Sequence, residues 1–329
     1  MTQTYKTTYR NALRDAMSEE IRRDEKVYLI GEEVAEYNGA YKCSQGMWEE
    51  FGDKRVIDSP ITEYGFTGIA VGSAMKGLRP IVEFMSWDFS MQSCDHIINS
   101  AAKTHYMSGG KVSCPIVFRG QNAASGRVAA QHSQDFAGWY ANIPGLKVLA
   151  PANAYDAKGL LKAAIRDNAP VIFLEHEKLY GMENEMPTDL DFTVEIGKAN
   201  VIKEGTDISL IAYSYPVEVA KEVAKKLEKD GISAEVIDLR SISPLDETTI
   251  LDSVKKTSRA VIIQEAWSYA SVGDSIASLI QQKAFDYLDA PVLVESGAAT
   301  PMPYAENLEK LALPQVDVIV DKIIKMVNK

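Results

Sequence analysis

The stretch IDSPITEYGFTGIAVGSAMKGLRPIVEFMSWDFSMQ, residues 57–92, holds the plan of the chain in miniature. It reads as a strand, a tight polar turn, a small-residue helix, a second strand and the start of a second helix. Pro60 makes Ser59 extended, and Ser59 and Thr62 offer hydroxyls where the helix begins. Ile69, Ala70, Val71, Ala74 and Met75, with Gly65, Gly68 and Gly72 among them, predict a helix buried on more than one side. Glu63 stands in its first turn. Position alone leaves that acid two readings. It is a carboxylate favoured by the positive end of the helix dipole. Or it is a group whose partial removal from water raises its pKa and suits it to holding or sharing a proton.

Working outward, the same alternation recurs. Leu13, Ala16, Met17 and Ile21 repeat at helical spacing over residues 8–23, behind a threonine cap, and VYLIG (27–31) is a short apolar run of the buried parallel kind. The acidic loop GEEVAEYNGAYK (31–42) follows. Loops at the carboxyl ends of parallel strands line ligand crevices, so Glu32 and Glu33 are site candidates, with simple solvation as the other reading. Strands are predicted near 55–58, 80–84, 115–119, 146–149 and 171–175, with helices at 89–106 and 155–166 between them. Residues 181–201 are rich in acids and turn formers and read as a linker. The alternation restarts with ISLIAY, and the next helix, 216–227, shows Val219, Ala220, Val223, Ala224 and Leu227 as its buried face. The fold class is α/β: two open, mainly parallel α/β domains at 1–185 and 203–329, joined by a linker at 186–202.

Composition bounds the function. With 329 residues the chain is long enough for two cores, and 46% hydrophobic with 25% charged residues describes an ordinary globular protein. A net charge of -11 argues against nucleic acid and suits a basic protein partner or solubility alone. Cys43, Cys94 and Cys114 are far apart and form no CxxC, so neither a disulfide framework nor a zinc site is indicated. No apolar run of about 18 residues and no signal-peptide core occur, so no membrane span is expected. The expected location is the bacterial cytoplasm, or an organelle matrix after removal of a targeting segment. Neither GxGxxG nor GxxxxGK[ST] is present, which disfavours a nicotinamide-dependent oxidoreductase or a kinase.

Five stretches together carry a resemblance that covers nearly the whole chain: GEEVAEYNGAYK (31–42), DSPITEYGFTGIAVG (58–72), EFMSWDFSMQ (83–92), INSAAKTHYMSGG (98–110) and AAQHSQDFAGWYANIPGLKV (129–148). They resemble the β subunits of the thiamin-diphosphate-dependent E1 components of 2-oxo acid dehydrogenase complexes, most closely those acting on pyruvate. The resemblance implies a transketolase-like pyrimidine-binding domain followed by a transketolase C-terminal-like domain. It implies that Glu63 hydrogen-bonds N1′ of the cofactor aminopyrimidine and that Phe89 stacks on that ring. Gln92, three residues on and so on nearly the same helical face, is a candidate for a polar contact nearby, and Glu32 a cofactor-binding candidate from its place at a strand end. His132 is implied in proton handling when the acyl group passes to the lipoyl arm of E2. The other histidines are assigned structural roles, His96 and His105 in a buried helix and His176 after a strand. The resemblance also implies a potassium ion held by the backbone carbonyls of Ile116, Ala164, Ile165, Asp167 and Ala169, where related chains often have Asn at the position of Ala169.

The Gly-Asp-Gly segment that anchors Mg2+ and the diphosphate in thiamin enzymes does not occur in the sequence. An E1 α subunit is therefore expected to supply both, in an α2β2 heterotetramer that uses pyruvate and engages the subunit-binding and lipoyl domains of E2. An acetoin or branched-chain 2-oxo acid dehydrogenase β subunit, or a non-catalytic assembly subunit, are the alternatives.

Overall fold

The structure, a computed structural model, describes residues 4–327. The chain divides into two units: one runs to Asn122 and resumes over Trp139–Ile196, and the other takes Ala123–Gly138 and the chain from Gly197 onward.

The elements up to residue 187 are β1 (Thr4–Thr8), α1 (Tyr9–Arg23), β2 (Val27–Gly31), α2 (Met47–Phe51), β3 (Val56–Asp58), α3 (Glu63–Met75), β4 (Arg79–Phe84), α4 (Ala102–Met107), β5 (Val117–Gln121), α5 (Ala137–Ala141), β6 (Lys147–Leu149), α6 (Ala154–Arg166), β7 (Val171–Glu175) and β8 (Glu183–Pro187). Strands of the first unit lie side by side in the order β6-β7-β5-β4-β2-β3, and every pair is parallel. Every residue of β2, β5 and β7 is buried, as continuous apolar strands covered on both faces require. Thr8 caps α1 by accepting from the Asn11 N–H at 3.3 Å, and Leu13, Ala16, Met17 and Ile21 are all buried. This helix packs along α6. Their seam holds Lys158 and Lys162, both fully buried, which donate to the two oxygens of Glu19 at 2.6 and 2.7 Å. Buried ammonium groups persist only when paired in this way.

Three expectations for this unit are corrected. The segment read as a linker contains β8, which pairs antiparallel with β1 from Thr4↔Pro187 to Thr8↔Glu183. Within β8 only Met186 is buried, so no apolar pattern announced a strand whose partner lies at the far end of the sequence. Residues 89–106 are not one helix: a 3₁₀ segment, Trp87–Ser93, gives way to a π-helical turn, Asp95–Ala101, and then to α4. His96 is consequently half-buried and His105 exposed, whereas His176, directly after β7, is fully buried. The His96 ring lies against Tyr64, centroids 4.2 Å apart, and over Gly68, where a Cβ would stand 2.8 Å from Nε2. Gly68 is thus required by close approach of the π turn to α3. Lastly, α3 is buried on one side only. Phe66, Thr67, Ala70, Val71 and Ala74 are buried, but Ile61, Tyr64 and Ile69 are exposed at 84%, 54% and 67%.

The second unit contains β9 (Asn200–Lys203), β10 (Ile208–Ala212), α7 (Pro216–Leu227), β11 (Ala234–Asp238), β12 (Ser241–Ser243), α8 (Glu247–Thr257), β13 (Ala260–Trp267), α9 (Val272–Ala284), β14 (Leu293–Gly297), α10 (Glu306–Ala312) and α11 (Val316–Val327). Its sheet runs β14-β13-β10-β11-β9, parallel except for the edge strand β9. On α7 the buried face is Val217, Ala220, Val223, Ala224 and Leu227, and Val219 is only half-buried. Val217 precedes Ala220 by three residues and shares its face, which Val219, one residue away, does not. Among the described residues no helix is long and apolar enough to cross a membrane.

Candidate active site

At the carboxyl end of β2 the chain leaves Gly31 into Glu32, and at the carboxyl end of β3 it turns through Asp58 into α3 and Glu63. Both acids are buried, Glu32 at 8% and Glu63 at 5% exposure. One oxygen of each, Glu32 Oε1 and Glu63 Oε2, is buried without any hydrogen-bond partner. Burial first, and then the neighbouring charge of Glu63, push the Glu32 carboxyl up to about 7 from an ordinary value of 4.5. Two carboxyl groups that share a poorly hydrated site cannot both ionise cheaply, so the arrangement holds a proton near neutral pH. The hydroxyls expected to cap α3 do not: Thr62 makes no side-chain cap and Ser59 Oγ donates to the Pro60 carbonyl.

Asp58, which the sequence reading did not single out, anchors the loop beside the site. Its carboxylate accepts from the Ala35 N–H at 2.7 Å and the Glu36 N–H at 3.3 Å, which fastens the acidic loop to the end of β3. Beneath the loop, Arg119 lies between Glu83 and Glu175, donating to both oxygens of Glu175 at 2.5 Å and also to Glu83. Burial pushes the Glu83 carboxyl up against the pull of Arg119. Tyr180 completes the cluster by donating to Glu175 at 2.9 Å.

The 3₁₀ segment Trp87–Ser93 packs against α3 and carries Phe89, half-buried, and Gln92, exposed. Residues three apart eclipse in a 3₁₀ turn, so the two share one edge of it. His132 ends a short 3₁₀ turn, Ala130–His132, is half-exposed, and belongs to the second unit. Of the residues named for potassium, Ala164, Ile165, Asp167 and Ala169 lie at or just beyond the end of α6 and Ile116 just before β5, and a different cation already contacts two of their carbonyls. Arg79 Nε donates to the Ile165 carbonyl at 2.9 Å and Nη2 to the Asp167 carbonyl. The Ile116 carbonyl accepts from Val171 N–H at 2.9 Å, the Ala164 carbonyl from Asp167 N–H at 3.2 Å, and Ala169 N–H donates to the Asp167 carboxylate at 2.9 Å.

The shifted Glu32 carboxyl fixes a sign. Its folded-state pKa lies above the ordinary value, so the folded chain holds the extra proton. Its contribution to stability is full below about pH 4.5 and is lost as the pH rises through about 7. Glu32→Gln should therefore raise the Tm of the chain relative to wild type by an amount that grows between about pH 5 and about pH 8. A Tm difference that stays constant over that range would contradict the raised Glu32 pKa.

Residues 5–183 match the family described as transketolase, pyrimidine binding domain, and residues 197–319 match transketolase, C-terminal domain. Proteins named pyruvate dehydrogenase E1 component subunit beta are similar along nearly the full length. The one from Rickettsia bellii is 60% identical over 95% of this chain and 96% of its own, and the one from Rickettsia felis 57% over 97% and 98%. The mitochondrial protein of that name from Caenorhabditis elegans is 55% identical over 98% of this chain and 92% of its own. Among solved structures, a split gene transketolase, an inactive beta4 tetramer, shares the fold with a TM-score of 0.79 at 20% identity, over 97% of this chain and 98% of that one. A polypeptide with both transketolase domains and this degree of identity over its whole length belongs to the pyruvate dehydrogenase E1 component subunit beta family.

Proposed function

We propose that this chain supplies the aminopyrimidine half of a thiamin diphosphate site in a pyruvate dehydrogenase E1, with Glu63 as the proton partner of N1′. The observation that carries the reading is the pair of partnerless buried oxygens on Glu63 and Glu32. A buried acceptor without a donor is costly, and a ligand nitrogen that trades a proton with Glu63 would satisfy it. When bound, thiamin diphosphate supplies the electron sink that lets a 2-oxo acid lose carbon dioxide. Glu63 holds or releases the proton at N1′, and Glu32 keeps the local negative charge near one by retaining its own proton close to neutrality. Phe89 offers an aromatic face and Gln92 an exposed amide. His132 acts later, moving a proton as the acetyl group leaves for the lipoyl group of E2.

The remaining parts come from partners. An α subunit supplies Mg2+ and the diphosphate site, in an α2β2 assembly, because the chain has no Gly-Asp-Gly segment. The exposed Ile61, Tyr64 and Ile69 beside Glu63 support this, since apolar side chains clustered around a site suit coverage by another subunit. The net charge of -11 suits a basic subunit-binding domain of E2. Pyruvate is the substrate, and the cytoplasm or an organelle matrix the location. Potassium takes the second lone pairs of the carbonyls at the end of α6, next to Arg79, where the negative end of the helix dipole favours a cation.

Two experiments test these assignments. In the assembled enzyme saturated with cofactor, Glu63→Gln should keep the fold and lower decarboxylation by roughly 100-fold to 10,000-fold, because an amide does not exchange the N1′ proton. A loss below about threefold would remove Glu63 from the chemistry. For potassium, thermal unfolding in potassium chloride should give a higher Tm than in sodium chloride at equal ionic strength. Equal values would mean that Arg79 alone holds the loop.

A further inference from the structure

His132 rides on Ala123–Gly138, a segment that packs with the second unit although the chain on either side of it belongs to the first. The loop closes on itself, the Ala123 N–H donating to the Gln134 carbonyl at 2.9 Å. Ala123, Arg127 and Ala129 adopt φ of 65°, 58° and 64°. Such left-handed conformations in non-glycine residues persist only where surrounding contacts over-determine them. Three of those contacts join side chains to the loop from within the second unit. On one side of His132, the Ala124 N–H donates to the Glu265 carboxylate of β13 at 3.1 Å. On the other, the Asp135 carboxylate accepts from the Ala137 N–H and from the Tyr213 hydroxyl, both at 2.9 Å. Tyr213 follows β10 directly and is only 1% exposed. A third contact, Arg127 with Glu306 at 3.3 Å, joins two exposed side chains. Exposed pairs hold little, whereas a buried hydroxyl bonded to a carboxylate is strong and fixes geometry.

We propose that Tyr213 and Glu265 are positioning residues for His132, clamping the two flanks of its loop, Tyr213 through the Asp135 carboxylate and Glu265 through the Ala124 amide. The proposal rests on the assignment of His132 to acetyl transfer. Proton movement by a side chain depends on its placement within hydrogen-bond reach of the reacting group. Loosening either flank therefore harms the transfer step while leaving the decarboxylation step, which uses Glu63, untouched.

The test uses E1 assembled from this chain and its α partner. It measures acetyl transfer to an isolated lipoyl domain, decarboxylation with an artificial electron acceptor, and the rate of tryptic cleavage after Arg127. Tyr213→Phe removes only the hydroxyl. It should lower transfer by roughly tenfold, leave decarboxylation unchanged and speed cleavage after Arg127, since displacement of a catalytic group by about 1 Å is already costly. Asp135→Asn combined with Tyr213→Phe should lose no more than Tyr213→Phe alone, and Tyr213→Phe should add nothing in a His132→Ala background, because coupled residues are not additive. If Tyr213→Phe leaves transfer intact while His132→Ala lowers it, or if it lowers decarboxylation equally, the positioning role is overturned. If His132→Ala itself leaves transfer intact, it is the assignment of His132 that fails, and the positioning role falls with it for that separate reason.

Discussion

Arg119 lies between Glu83 and Glu175 with almost no access to water, and each of the three comes from a different neighbouring strand, β5, β4 and β7. Taking three charges out of water is repaid only when the geometry is good and every lone pair is used. Removing Arg119 would leave two buried carboxyl groups with no cation between them. The cluster therefore fixes where the carboxyl ends of these strands stand relative to one another. Glu83 is also the register partner of Gly31, the last residue of β2, so the fixed geometry is passed directly to the loop that begins with Glu32. Cys43, farther along the chain, is buried at the same cluster, where burial pushes its thiol well up and keeps it uncharged. Asp58 fastens the front of the loop from β3. A rigid floor and two anchors thus hold Glu32 and Glu63 together despite their mutual repulsion.

That repulsion is the functional resource. Two carboxyls left partly unsatisfied in a low-dielectric setting are poor for stability, and they are what a proton-exchanging ligand needs. The site lies at one edge of α3, the exposed Tyr64 and Ile69 lie along the same helix, and exposed Ile61 lies just before it. Chemistry and subunit association are therefore assigned to the same element. On the proposed reading, such a chain would present half of a site and the apolar surface by which the other half arrives.

Much of the architecture was legible because its causes are local. VYLIG and VIFLE are continuous apolar runs, and Leu13, Ala16, Met17 and Ile21 repeat at helical spacing. What escaped has distant causes. The β1–β8 ribbon joins segments with one strongly buried residue on the later strand, and nothing near Met186 names its partner. The sequence 87–107 contains neither proline nor glycine to mark a break, and it is the close approach of His96 to Gly68 that accompanies the departure from regular α-helix. The apolar face of α3 was read as core, since periodicity cannot say whether the covering surface belongs to the same chain. At the site, the motif singles out Glu63, but the behaviour of Glu32 depends on an acid brought to it in space. Tyr213 and Asp135, which meet across two distant segments, left no signal in either.

The central claim is that this chain carries only one half of a thiamin diphosphate site. One hydrogen bond from Glu63 and one aromatic face from Phe89 contribute about 2 to 4 kcal/mol in gross terms. The loss of translational and rotational freedom on binding costs at least about 4 kcal/mol. The decisive measurement is calorimetric titration with thiamin diphosphate and magnesium, first of the isolated chain and then of the chain assembled with its α partner. The account predicts no measurable binding in the first titration and saturable, equimolar binding in the second. Micromolar binding to the isolated chain would contradict it.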